Sequence, residues 1–150
     1  MLDLERVLGV LAENQPEAPS DDARADADPV PSPSARQVEM WERIQTTPNV
    51  TVFLAESGTE AVGTACLSVL PNITYDCRPT AFIEAVVVKY AHRRRGVARS
   101  VLVDALHDAR RAECHKVQLL THKRHATDGA HDLYRSLGFV AEAEGFRLYL

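Results

Sequence analysis

The chain has 150 residues, 45% of them hydrophobic and 25% charged, enough for one domain with a real core and too few for two. Its formal net charge is −4, with 17 Lys and Arg against 21 Asp and Glu, a poor footprint for nucleic acid, so no nucleic-acid partner is expected. No run approaches the ~20 apolar residues of a membrane span, and the N-terminus lacks the basic start and apolar core of a signal peptide, so the expectation is a cytoplasmic protein with no membrane partner.

In chain order, Leu4, Val7, Leu8 and Leu11 recur at helical spacing and predict a first helix over about residues 3–13. The stretch from Asn14 to Ala35 then carries five acids (Glu17, Asp21, Asp22, Asp26, Asp28), one base (Arg24) and five of the eight prolines. So acidic and proline-rich a segment buries little surface, and it reads either as disordered or as a substrate-facing flap. Ser34 is placed to cap a second helix whose apolar face holds Val38, Trp41 and Ile44, ending before Pro48.

Val50 to Ala55 and Ala61 to Leu70 predict a hairpin across Glu56–Glu60, and Ala81 to Val88 reads as a central strand. A long helix follows over Gly96 to Glu113, with Val97, Val101, Leu102, Ala105 and Ala109 facing inward, and then a strand over Lys116 to Thr121. A short helix over Gly129 to Leu137 closes at Gly138, and Phe139 to Ala143 with Phe146 to Leu150 predicts a terminal hairpin turning at Glu144-Gly145. The fold class is α/β, a mixed sheet flanked by helices. No internal repeat is evident. Cys66, Cys77 and Cys114 are scattered, which suggests neither a disulfide framework nor a zinc site.

The most informative stretch runs from Val86 to Arg99: a β-branched strand, the basic loop around Arg93-Arg94-Arg95, then Gly96-Val97-Ala98-Arg99 at the start of a helix. This order aims unpaired backbone N–H groups, the positive end of a helix dipole and several arginines at one point, a site for a phosphate or pyrophosphate. A solvated basic turn is the plainer alternative. Gly96 and the small Ala98 suit a close backbone approach to a ligand, where a Cβ at Gly96 would intrude.

Three motifs, in the same order as here, resemble the GNAT superfamily of acyl-CoA N-acyltransferases. Arg93-Arg94-Arg95-Gly96-Val97-Ala98 fits the family's Arg/Gln-x-x-Gly-x-Gly/Ala pyrophosphate motif; Ile83 to Val88 is similar to its fourth strand; Leu133-Tyr134-Arg135-Ser136-Leu137-Gly138-Phe139 resembles its C-terminal Leu-Tyr-x-x-x-Gly-Phe signature. The resemblance covers roughly Val50 to the terminus and implies a single acetyltransferase domain over residues 1–150, with acetyl-CoA as the acyl-donor cosubstrate and no metal. It implies coenzyme contacts from Val86, Val87, Val88, Arg93, Arg94, Arg95, Gly96, Val97, Ala98 and Arg99, the pantetheine arm pairing like a strand with Val86 and Val88. Where many members carry Asn seven residues before the tyrosine, this chain has Thr127, whose hydroxyl replaces that coenzyme contact only in part. The family's usual first strand is missing ahead of the first helix, which leaves a sheet edge open to homodimerisation or local disorder.

Glu84 interrupts an apolar run, Ala81-Phe82-Ile83 before it and Ala85 to Val88 after it. Buried there, it would be pushed toward neutrality and suited to act as a general base on an ammonium whose free pKa is near ~10; facing solvent or a cleft, it would simply pair with an arginine. Tyr134 is the candidate general acid toward a thiolate leaving group of parent pKa near ~8.5, or else a packing residue beside Leu133 and Leu137. Asn72 and Arg78, in the segment between two strands expected at the mouth of the cleft, are candidate acceptor contacts or turn residues. The spacing His122-x-x-His125, among Lys123 and Arg124, reads as surface histidines. The expected function is acetyl transfer to a primary amine of a small molecule by direct attack in a ternary complex; a non-catalytic acyl-CoA-binding regulatory module is the alternative.

Overall fold

A computed structural model of the chain describes residues 2–14 and 32–150. Most of the acidic, proline-rich stretch, residues 15–31, therefore lies outside the described residues. Helix α1 spans Leu2–Leu11 and runs into a 3-10 turn over Ala12–Asn14, helix α2 spans Ala35–Thr46, and strands β1, β2 and β3 span Val50–Ser57, Glu60–Leu70 and Thr80–Val88. Helix α3 covers Val97–Arg111, β4 covers Lys116–Leu119 and α4 covers Ala130–Ser136. The strands form one sheet in the order β1-β2-β3-β4, antiparallel except for the parallel β3–β4 pair. This is the mixed sheet flanked by helices that the sequence leads one to expect.

Local chemistry fixes the element ends. Ser34 caps α2 with a reciprocal capping box: its hydroxyl accepts from the Gln37 N–H while the Gln37 side chain accepts from the Ser34 N–H. Gly58, in the β1–β2 turn, has φ +61°, a conformation glycine adopts at no steric cost. The inward face of α3 buries Val101, Leu102, Ala105, Leu106 and Ala109 against Ala65 and Leu67 of β2 and Ala81 and Ile83 of β3. Helix α1 buries Val10 against Ala61 and Val87, and Arg6 on its outer side pairs with Glu56 of β1. Buried Thr64 is satisfied by donating to the Phe53 carbonyl at 2.9 Å.

Two irregularities in β3 shape the space beside it. Between Cys66↔Glu84 and Thr64↔Val87 the register slips, so Ala85 and Val86 face one residue of β2, and Ala85 takes φ +51°. This is a β-bulge, which bends a strand and re-aims its side chains. In addition β3 pairs with β4 only over Thr80–Ile83, so the two parallel strands part company beyond the Ile83↔Leu119 pair.

The expected C-terminal hairpin does not form: residues 139–150 have no strand pairing. Phe146, Leu148 and Leu150 alternate as a strand would, but they are exposed at 91%, 82% and 115%. Gly145, expected as a hairpin turn, instead lies where a Cβ would stand 2.6 Å from Leu120 Cδ2, so the segment crosses the end of β4 rather than folding on itself.

The β2–β3 loop also departs from expectation. It leaves β2 at Leu70 and enters β3 at Thr80, the end of β3 remote from the parted strands, and so stands away from the cleft. Tyr75, Asp76 and Cys77 take φ values of +51°, +60° and +57° in succession. Tyr75 stacks on His115 with ring centroids 3.8 Å apart.

Candidate active site

The parting of β3 from β4 opens a cleft of about 740 Å³, floored by Ile83 and Leu119, with Glu84 to Val88 on one wall and Leu133 and Tyr134 of α4 on another. Its far end is the start of α3. Strand geometry turns successive peptide groups to opposite neighbours. The Lys89 N–H donates to Val62 of β2 at 2.9 Å, so the peptide groups of Val88 turn the other way, toward the cleft. Past Ile83 that edge of β3 has no β4 partner, which leaves a lane of peptide groups beside the cavity.

At the end of the lane Gly96 caps α3 with φ +83° and no side-chain cap bond. The helical ladder opens with the Ser100 N–H donating to the Gly96 carbonyl at 3.0 Å, and the first-turn N–H groups of Val97, Ala98 and Arg99 have no intrahelical acceptor. Around them stand three cations lining the cleft: Arg93, Arg94 and Arg99. Arg93 Nε donates to the Val88 carbonyl at 3.1 Å and its guanidinium lies 5.4 Å from the centre of the Tyr90 ring. Arg99 Nη2 donates to Ser136 Oγ at 2.6 Å, tying α3 to α4. The guanidinium of Arg94 rests against Gly129, whose φ is +88° and where a Cβ would displace Arg94 Nη1. Helix N-terminus, dipole and guanidinium groups thus line one end of the cleft, a setting that suits an oxyanion.

Gly96 has a reason within the chain as well as toward a ligand. Nothing lies within 4 Å of where its Cβ would be, so the requirement within the chain is the left-handed backbone, and the space above it is open to a ligand. Arg95 turns away from the cleft to a shallow hollow beside Glu56 and Val62.

Glu84 is exposed, not buried in the sheet; the bulge at Ala85 carries it onto the cleft wall beside Arg147 and Tyr149 of the C-terminal segment. Of the two readings open in the sequence, buried or cleft-facing, the structure takes the second. Tyr134 is half-buried, edge-on to Phe139 at 73° with centroids 6.1 Å apart. Burial, and after it the negative charge of Asp128, push its phenol above the ordinary value of 10.0.

Thr127 is exposed and stands outside the cleft lining; its neighbour Asp128 is in it. Asn72 is a turn residue: its Nδ2 donates to Thr80 Oγ1 at 3.1 Å and its Oδ1 accepts from the Thr74 N–H at 3.0 Å. Arg78 clamps the end of α3, with Nε and Nη2 donating to the Glu113 and Cys114 carbonyls, each at 3.2 Å. Neither lines the cleft; of the two readings, acceptor contact or turn residue, these bonds fit the second.

His122 and His125, which read in the sequence as surface histidines, line the cleft, as does Asp128, which the sequence does not single out. His125 Nδ1 bonds Asp128 Oδ2, and Asp128 Oδ1 accepts from the Ala130 N–H at 3.0 Å. Burial alone would raise Asp128, but the bonds from His125 and Ala130 and the charges of His125 and Arg93 prevail and hold it below its usual 3.8. The available signal was the i, i+3 spacing of His125 and Asp128 directly before a glycine that starts a helix.

Residues 17–139 match the model of the acetyltransferase (GNAT) family. The chain belongs to the GNAT family. Among solved structures, a protein of Agrobacterium tumefaciens str. C58, provisionally named an acetyltransferase, is 32% identical with a TM-score of 0.83, over 99% of this chain and 94% of that one. A transcriptional regulator from Bacillus halodurans C-125 is 27% identical, also with a TM-score of 0.83, over 99% and 93% of the two chains. The glucosamine 6-phosphate N-acetyltransferase of Trypanosoma brucei brucei is 30% identical over 99 residues, 66% of this chain, and the match spans 64% of that relative's length.

Proposed function

We propose that this GNAT protein transfers an acetyl group from acetyl-CoA to a primary amine of a small molecule, by direct attack in a ternary complex. The observation that carries the proposal is the continuity of the cleft. A basic helix start at α3 leads along the edge of β3 that β4 leaves unpaired, past Val88 and Val86, and ends beside Glu84 and Tyr134. The open space above Gly96 and the unpaired first-turn N–H groups fit a pyrophosphate, with Arg93, Arg94 and Arg99 supplying charge and Val86 to Val88 the strand-like contacts. Acetyl-CoA supplies an activated thioester when bound.

The chain's residues then have simple work. The β3 wall orients the donor and gives its peptide N–H groups to the thioester oxygen, so most of the rate comes from positioning and electrostatics. Glu84, exposed to the cleft, takes a proton from the acceptor ammonium directly or through water. Tyr134, kept protonated, donates to the departing sulfur.

A second reading, a non-catalytic acyl-CoA-binding regulatory module, draws on the likeness to the Bacillus halodurans transcriptional regulator. Calorimetric titration with acetyl-CoA, followed by thiol release on a panel of amines, separates the two. Micromolar binding with release supports the enzyme; binding without release on any amine supports the module. Absence of binding overturns both.

A further inference from the structure

Among the described residues of the cleft stands one arginine that the donor does not account for. Arg93, Arg94 and Arg99 gather at the start of α3, and Arg93 is fastened to Val88. Arg147 enters the same cleft from the C-terminal segment and lies within the electrostatic reach of Glu84. Glu84 is four residues back along β3, at most roughly 13 Å from Val88 at ~3.3 Å per residue. Two separate cationic points thus flank the lane, one at each end.

At the Glu84 end the wall offers three polar groups. Glu84 presents a carboxylate, Arg147 a guanidinium, and Tyr149 a phenol whose oxygen accepts from Arg147 Nη1 at 3.2 Å. That bond turns the guanidinium along the segment and leaves the rest of its planar fork for a partner. A carboxylate suits an ammonium, while a guanidinium fork suits a carboxylate or phosphate, which it binds through two parallel bonds. Both recognition elements stand where an acceptor must enter if the donor occupies the lane.

We infer that Arg147, oriented by Tyr149, is the specificity residue for the acceptor, and that the acceptor is a small amine carrying an oxyanion, either phosphate or carboxylate. The inference rests on the proposed acetyl transfer for the word acceptor, but the anion site itself can be measured without turnover. Glu84 takes the amine end of such a molecule and Arg147 the anionic end. The β3 bulge, by turning Glu84 out of the sheet, places the two charges on one wall.

The test uses the whole chain saturated with coenzyme A. Two pairs of probes are titrated calorimetrically: glucosamine 6-phosphate against glucosamine, and glycine against glycinamide. Wild type is expected to bind the anionic member of at least one pair ~10-fold or more tightly than its neutral partner. Arg147→Gln is expected to reduce that preference ~10- to 100-fold, the scale of a charge-assisted bidentate contact, and Arg147→Lys to keep part of it. Discrimination in the phosphate pair alone identifies a phosphorylated amine; discrimination in the glycine pair alone identifies an amino acid. Equal binding within both pairs, or full preference retained in Arg147→Gln, overturns the inference. Thiol release from acetyl-CoA in parallel mixtures reads the activity separately: anion preference without release sinks the enzyme and leaves the site, and release without anion preference does the reverse.

Discussion

Gly63 and Val97 touch where the first turn of α3 crosses β2, and a Cβ on Gly63 would stand 2.6 Å from Val97 Cγ1. The absence of a side chain on β2 is what lets the N-terminus of α3 lie close over the sheet, beside the end of β3. A β-branched valine is stiff about χ1 and yields little. Gly63→Ala is therefore expected to cost about 1–3 kcal/mol as overpacking and to weaken acetyl-CoA binding by lifting the helix start. Thermal unfolding and calorimetry read the two effects, and the double variant Gly63→Ala with Val97→Ala should recover part of both.

Tyr134 is expected to matter for turnover more than for binding. Tyr134→Phe keeps the ring that meets Phe139 and removes only the proton, so kcat should fall about 100-fold or more with acetyl-CoA affinity little changed. The phenol is held above its ordinary value of 10.0 by burial and then by Asp128. Its proton is thus fully present below ~10 and lost as pH rises through the raised value. An alkaline fall in rate below pH ~10 that disappeared in Tyr134→Phe would contradict this order.

Asp128 gives a prediction at the acid end. Its folded value lies below 3.8, so its contribution to stability is present above that value and lost as pH falls through the depressed one. The side chain is 45% exposed, which limits the contribution to less than about 1 kcal/mol. Asp128→Asn should melt slightly lower than wild type at pH 7, and the gap should close on acidification below pH ~3.8. A gap that widened on acidification would reverse the assigned sign.

Arg78 separates structure from chemistry. Its two bonds to the Glu113 and Cys114 carbonyls hold the β2–β3 loop to the end of α3. Arg78→Ala should lower stability by about 1–2 kcal/mol and leave kcat and the KM for either substrate unaltered. Steady-state kinetics beside a melting curve make the check.

What the residues disclosed in advance was what local periodicity encodes. The inward face of α3, the cap at Ser34 and the β1–β2 hairpin follow from side-chain spacing, and the glycine that opens α3 follows from a strand and a basic loop ahead of it. What depends on tertiary placement stayed hidden. Whether Glu84 is buried or faces the cleft stays open in the sequence, because nothing in Ile83-Glu84-Ala85-Val86 announces that a non-glycine Ala85 will adopt φ +51°. Asn72 and Arg78 look like cleft residues until the strand register shows which end of β3 their loop adjoins. Phe146 to Leu150 alternates like a strand, but alternation supplies a face and not a pairing partner. His125 and Asp128 carry so short a signal that only the fold brings them to the cleft.

The run of left-handed backbone at Tyr75, Asp76 and Cys77 has a meaning for how this chain could evolve. Each such L-residue costs roughly 1–2 kcal/mol, against a total margin of about 5–15 kcal/mol for an ordinary domain. The expense falls in a loop remote from the cleft, so it can be relieved without disturbing catalysis. Asp76→Gly is expected to be neutral or to gain up to about 1 kcal/mol once the greater freedom of the unfolded chain is counted. The loop is thus a reserve of mutational slack: a lineage that lost stability while altering its substrate wall could regain it here, one residue at a time.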